Sequence, residues 1–90
     1  MKDYDQAIAL NPKYAEAYNN LGTAKLALKS YEEAIKDHDQ AIALNPKYAG
    51  AYNNRGTAKN YLKKHEEAIE DYDQAIALKS DYAEAYNNRG

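Results

Sequence analysis

The residues of this chain whose types could support chemistry are few. The sequence holds two histidines, no cysteine, and ten tyrosines with no other aromatic. His38 and His65 do not have the H-E-x-x-H spacing that sets two imidazoles on one helix face to share a metal. Each stands where the related stretch of sequence carries tyrosine (Tyr72 and Tyr31 respectively), so both read as variants of a packing residue. Three Asp-x-Asp triplets, Asp3/Asp5, Asp37/Asp39 and Asp71/Asp73, lack the glycine and terminal glutamate of a calcium loop and fall inside helical segments. A solvated helix face is their expected role. Gly22 and Gly56 are isolated and build no phosphate-cradling loop. No catalytic, cofactor-binding or metal-ligating residue is expected, and the chain does not read as an enzyme. What remains is amide chemistry. Asparagine pairs recur as Asn19-Asn20, Asn53-Asn54 and Asn87-Asn88, although asparagine is a poor helix former. Each amide offers an acceptor and two donors, enough to pair with both the N–H and the C=O of a peptide backbone. Repeated at regular spacing, such residues would form a ladder that reads an extended main chain. The alternative is that one asparagine of each pair bonds helix to helix.

The elements that must position these residues follow from an internal repeat. Residues 15–48 and 49–82 align without a gap at an offset of 34 and agree at about two thirds of positions. Residues 1–14 match the end of a unit and residues 83–90 the start of one, which accounts for the whole sequence with no linker. Within a unit the pattern has a period of about 3.6, with Tyr18, Leu21, Gly22, Lys25 and Leu28, then Ala34, Ile35, His38, Ala41 and Ile42, at helical spacing. Asn11-Pro12 and Asn45-Pro46 end helices, because proline lacks an N–H and restricts the residue before it. A second break falls near Lys29-Ser30, where Ser30 and Glu33 form an S-x-x-E capping pattern; Lys64 stands in the serine's place one unit later. The pattern predicts helices over 15–28, 32–44, 49–62 and 66–78, with fragments at 2–10 and 83–90. Gly22 and Gly56 each disfavour a helix interior by about 1 kcal/mol. They imply a close backbone approach, with Ala34 and Ala68 as small partners on the second helix.

The slots so defined, Tyr18-x2-Leu21-Gly22-x2-Lys25, Ala34-x3-His38 and Pro46, followed by Tyr52-x2-Arg55-Gly56-x2-Lys59 and Ala68-x3-Tyr72, resemble the signature of the tetratricopeptide repeat. The resemblance covers the whole chain. It implies an all-α fold, a right-handed α-solenoid of antiparallel helix pairs, in which the first helices line a concave groove that holds a peptide or partner segment. The groove residues it implies are Asn19, Asn20, Thr23, Asn53, Asn54, Thr57, Asn60, Tyr61, Asn87 and Asn88. Positions differing between units gather on the first helix: Leu26 becomes Asn60, Ala27 becomes Tyr61 and Glu16 becomes Gly50. Tyr61 is the best anchor candidate by area and polar tip, or else an exposed tyrosine beside the turn. A charged clamp for acidic tails, known in the family, is not carried over, since of Asn19, Thr23, Asn54, Glu84 and Asn88 only Asn54 fits it. Three departures stand out. Arg55 and Arg89 occupy the slot of Leu21, and the sequence suggests either pairing (Asp37 and Asp39 for Arg55, Asp71 and Asp73 for Arg89) or snorkelling to solvent. Lys25 and Lys59 stand where the signature has tyrosine. Ser80 replaces the proline, which is expected to let that second helix run on or fray.

Composition narrows the partners. A net charge of -2 without clustered Lys and Arg argues against nucleic acid, and no apolar run approaches a membrane span. No apolar stretch follows Met1-Lys2-Asp3-Tyr4, so a signal peptide is not expected. By resemblance a cytoplasmic setting and a protein or peptide partner are expected, with no cofactor. A second reading is a self-associating unit. Only two units are complete, and apolar positions near Ile8 and Leu10 at one end and Tyr72, Ile76 and Tyr82 at the other would meet in neighbouring chains as homo-oligomers. The near identity of the units fits recent duplication or an engineered array.

Overall fold

The computed structural model describes residues 15–79 and Asn88. The fragments expected at 2–10 and 83–90 lie outside the described residues, except that Asn88 is helical. Four helices follow in order: α1 (Ala15–Ala27), α2 (Tyr31–Leu44), α3 (Ala49–Tyr61) and α4 (His65–Leu78). Each predicted helix is present, with ends shifted by no more than a residue. The helices pack as antiparallel pairs, α1 on α2 and α3 on α4, with α2 on α3 joining the pairs. The helices α1 and α3 also touch, whereas α2 and α4 do not. That asymmetry sets α1 and α3 on the inner side of the curve.

Alanine makes this packing close. Ala17, Ala34, Ala41, Ala51, Ala58, Ala68 and Ala75 are all buried, so backbones meet with little side chain between them. The tightest approach at each glycine is to a ring; the small partner anticipated from the sequence is also close at Gly56, where it is the Ala68 backbone. A Cβ on Gly22 would lie 2.7 Å from the His38 ring, and one on Gly56 would lie 2.8 Å from the Tyr72 ring and 3.1 Å from the Ala68 carbonyl. Gly56→Ala is therefore expected to lower stability by about 1–3 kcal/mol despite alanine's better helix propensity, read as a drop in the urea midpoint at unchanged slope.

The turns between paired helices depart from expectation. Ser30 sits at the N-cap of α2 but makes no side-chain cap bond, and Lys64 adopts nearly the same backbone angles at α4. The stop is made instead by the preceding lysines, Lys29 (φ 62°) and Lys63 (φ 63°), both left-handed. Ser30 N–H donates to the Lys25 carbonyl at 2.8 Å and Lys29 N–H to Leu26 at 2.9 Å; Lys64 to Lys59 (2.9 Å) and Lys63 to Asn60 (3.0 Å) repeat the pattern. This is the Schellman arrangement, whose left-handed position favours glycine. Lys29→Gly and Lys63→Gly are each expected to raise stability by about 1 kcal/mol, measured by urea denaturation. At the far end, Ser80 does not let α4 run on. Lys79 takes the same extended backbone as Asn45, and each donates its N–H to the residue four back, Ala75 or Ala41, at 2.9 Å.

Candidate functional site

The inner surface of α1 and α3 carries two of the asparagine pairs, and the structure divides both. The first member is buried: Asn19 is 7% and Asn53 1% exposed. Asn19 Nδ2 donates to the Tyr48 hydroxyl at 3.3 Å, while its Oδ1 accepts from Asn54 Nδ2 at 3.2 Å. One unit on, Asn53 Oδ1 accepts from Asn88 Nδ2, again at 3.2 Å. Asn19 and Asn53 thus bond unit to unit, the arrangement in which one asparagine of each pair bonds helix to helix. The second members are more open. Asn20 and Asn54 are half-buried and Asn88 is exposed. The Asn54 amide directs its nitrogen at Asn19 Oδ1 and, at 3.4 Å, at Thr23 Oγ1. Its donors are committed to the preceding unit, and its Oδ1 is the acceptor of a half-buried amide. Asn87 lies outside the described residues.

The threonines brace the wall. Thr23 and Thr57 donate to the carbonyls of Asn19 (2.9 Å) and Asn53 (3.1 Å), the back-bonding typical of a hydroxyl inside a helix. Thr57 also accepts from the Tyr72 hydroxyl at 3.1 Å. Burial raises the Tyr72 pKa, against the lowering effect of that bond. Asn60 and Tyr61 are exposed at the end of α3. Asn60 Oδ1 accepts from His65 Nδ1. The Tyr61 ring stacks on Tyr31 with centroids 4.7 Å apart and planes 4° apart, a contact that no sequence spacing announced. Thr57, Asn60, Tyr61, Tyr72 and Asn88 line a cavity of about 190 Å³.

Behind this face lies the charge network. Arg55 is paired, but with a different set from the one expected. Its Nε and Nη2 grip Asp71 at 3.0 and 2.7 Å, and Nη1 reaches Asp39 at 2.8 Å. Lys59 shares Asp71 at 3.1 Å. Asp37, named from sequence as a partner of Arg55, is instead bound by Lys25 at 2.8 Å. The reason is geometric: Asp71 belongs to the helix paired with α3, whereas Asp37 occupies the corresponding place against α1. Burial opposes the Arg55 charge, but its bonds to Asp71 and Asp39 outweigh that and raise its pKa above the ordinary arginine value. The guanidinium also lies 5.4 Å from the centre of the Tyr52 ring. Arg89 lies outside the described residues. His38 is fully buried, with no hydrogen-bond partner on either ring nitrogen. Burial first, then the nearby Arg55 charge, lowers its pKa to about 4, with Asp39 acting the other way.

Among the described residues, no three of His, Cys, Asp and Glu stand close enough to hold a metal ion. Among them, too, no helix is long and apolar enough to cross a membrane.

Two family profiles match the chain, "Tetratricopeptide repeat" over residues 15–48 and "TPR repeat" over residues 56–90. No curated protein matches it significantly. Similar solved structures include the first TPR of Spaghetti (RPAP3) bound to the HSP90 peptide SRMEEVD, at 34% identity and a TM-score of 0.93, covering 96% of this chain and 68% of that one. The Arabidopsis OM64 TPR domain is similar at 33% identity and a TM-score of 0.93, covering 94% of this chain and 70% of that one. The second TPR domain of human RPAP3, in complex with the HSP70 peptide SGPTIEEVD, is similar at 35% identity and a TM-score of 0.91, covering 96% of this chain and 72% of that one.

Proposed function

The chain belongs to the tetratricopeptide repeat family, and from that premise we propose that it is a protein-interaction module holding an extended segment of a partner protein along the inner face of α1 and α3. It acts by binding, not by catalysis. The observation that carries this reading is the repetition of an accessible amide, at Asn20, Asn54 and Asn88, along a face whose buried partners Asn19 and Asn53 keep it in register. An extended peptide rises about 3.3 Å per residue and presents a main-chain N–H to the same side at every second residue. Fixed carbonyl acceptors such as Asn54 Oδ1 suit those N–H groups. The similar domains of RPAP3 with chaperone peptides support the same use of the fold.

The test is fluorescence anisotropy of the full chain against a pool of short labelled peptides. Saturable binding is expected, and Asn54→Ala should weaken it about fivefold, the worth of one hydrogen bond near 1 kcal/mol. An absence of saturable binding across the pool would remove the reading.

A further inference from the structure

The inner face is not uniform, and the corner where Asn60 and Tyr61 replace Leu26 and Ala27 suggests what kind of segment it takes. Tyr61 is 63% exposed, yet its ring is held flat against Tyr31, so one aromatic face is covered and the other is presented. Beside it the cavity of about 190 Å³ opens between α3 and Asn88. That is room for one side chain of leucine or phenylalanine size. None of the described residues lining it carries a charge. The lysines of the inner helices do not supply one, because Lys25 is bound to Asp37 and Lys59 to Asp71. The preceding unit has Leu26 and Ala27 where Asn60 and Tyr61 stand, so it has no counterpart of this corner.

We propose that Tyr61, with Asn60 and Asn88, forms a specificity subsite that seats an uncharged aromatic side chain of the bound segment and disfavours acidic tails such as SRMEEVD. This rests on the groove reading above and names the ligand class it would take. An aromatic ring laid on the open face of Tyr61 gains offset stacking as well as buried area. A carboxylate in the same place would lose its water with no cation among the described lining residues to meet it. Tyr31 acts as a positioning residue, since it fixes the Tyr61 ring without reaching the seated side chain. Asn60, held through Oδ1 by His65, keeps its Nδ2 as the donor available to the segment.

The experiment is anisotropy with short labelled peptides of one neutral background that differ at a central Phe, Leu, Ala or Asp, together with SRMEEVD. The Phe peptide is expected to bind about five- to tenfold tighter than the Ala peptide, with the Asp peptide and SRMEEVD weaker than Ala. Tyr61→Ala should erase the Phe advantage. Tyr31→Ala should reduce it and Tyr31→Phe restore it, while Asn54→Ala weakens every peptide alike. An unchanged ranking in Tyr61→Ala, or SRMEEVD binding as tightly as the Phe peptide, overturns the subsite. If Asn54→Ala still weakens binding in that case, the groove reading stands. Binding of no peptide overturns both.

Discussion

Replacing Asp71 with alanine is expected to lower stability by about 3–5 kcal/mol at neutral pH, seen as a large fall in the urea midpoint. Asp71 is buried, and its carboxylate takes two bonds from Arg55 and the ammonium of Lys59. Without it, two largely covered cations face each other. Arg55 keeps only the exposed Asp39, and Lys59 keeps only a long contact of 3.8 Å to the exposed Glu67. Asp39→Ala removes a carboxylate from the same guanidinium, yet should cost less than about 1 kcal/mol because that partner is 52% exposed. Arg55→Leu should change stability by no more than about 1 kcal/mol, because it recreates the first unit: Leu21 is buried there and a lysine alone holds the aspartate. The large effect thus belongs to the shared anion. Equal losses for Asp71→Ala and Asp39→Ala would sink this account.

Acidification is expected to weaken the array well above the range where carboxylates titrate. His38 has a pKa of about 4 in the folded chain against 6.5 when unfolded. The unfolded chain therefore binds the proton first. The stability that depends on neutral His38 is fully present above about pH 6.5 and is lost as pH falls towards 4, a total of roughly 3 kcal/mol. The cause is visible in the packing, since the ring is wedged against Gly22 with neither nitrogen bonded and Arg55 nearby. His38→Tyr should flatten that segment of the curve and raise stability by about 1–2 kcal/mol at neutral pH. Tyr72 shows what the slot accepts: a ring over glycine with its hydroxyl on a threonine, and Thr23 stands ready in the first unit. Denaturation midpoints from pH 7.5 to 4.5 for both proteins decide it, and parallel curves would mean that His38 is protonated without penalty.

Much of the fold was legible because a 34-residue period repeats every signal, so helix-forming runs, Asn-Pro stops and small residues at contact points reinforce one another. The pairing of Arg55 was half legible. Asp39 follows from the spacing of charges, but Asp71 lies on the helix that folds back on α3, and sequence distance does not tell which of two equivalent aspartates ends up nearer. The left-handed lysines were hidden because their chemistry gives no hint: tertiary packing imposes a conformation for which glycine is the usual marker. Of the candidate site, the sequence raised a division of labour within each asparagine pair as an alternative but did not tell which member bonds helix to helix. Two adjacent asparagines look alike in sequence; about 100° of helical rotation separates them and buries Asn19 and Asn53 while Asn54 stays half-buried. The Tyr31–Tyr61 stack joins residues from different units and became readable only in three dimensions.

The junction between units also bears on how such an array can change in length. Arg55 bonds an aspartate from the unit before it as well as one from its own, and aspartate occupies the first of these places in Asp5, Asp39 and Asp73 alike. The asparagine link from Asn54 to Asn19 likewise calls on residues that every copy of the first helix carries. A copied unit therefore arrives with both halves of its own joint. Gene duplication or recombination can insert, delete or reorder units without a compensating substitution at the seam. Selection is then free to act on the few positions, such as 60 and 61, at which the copies differ and a ligand would notice.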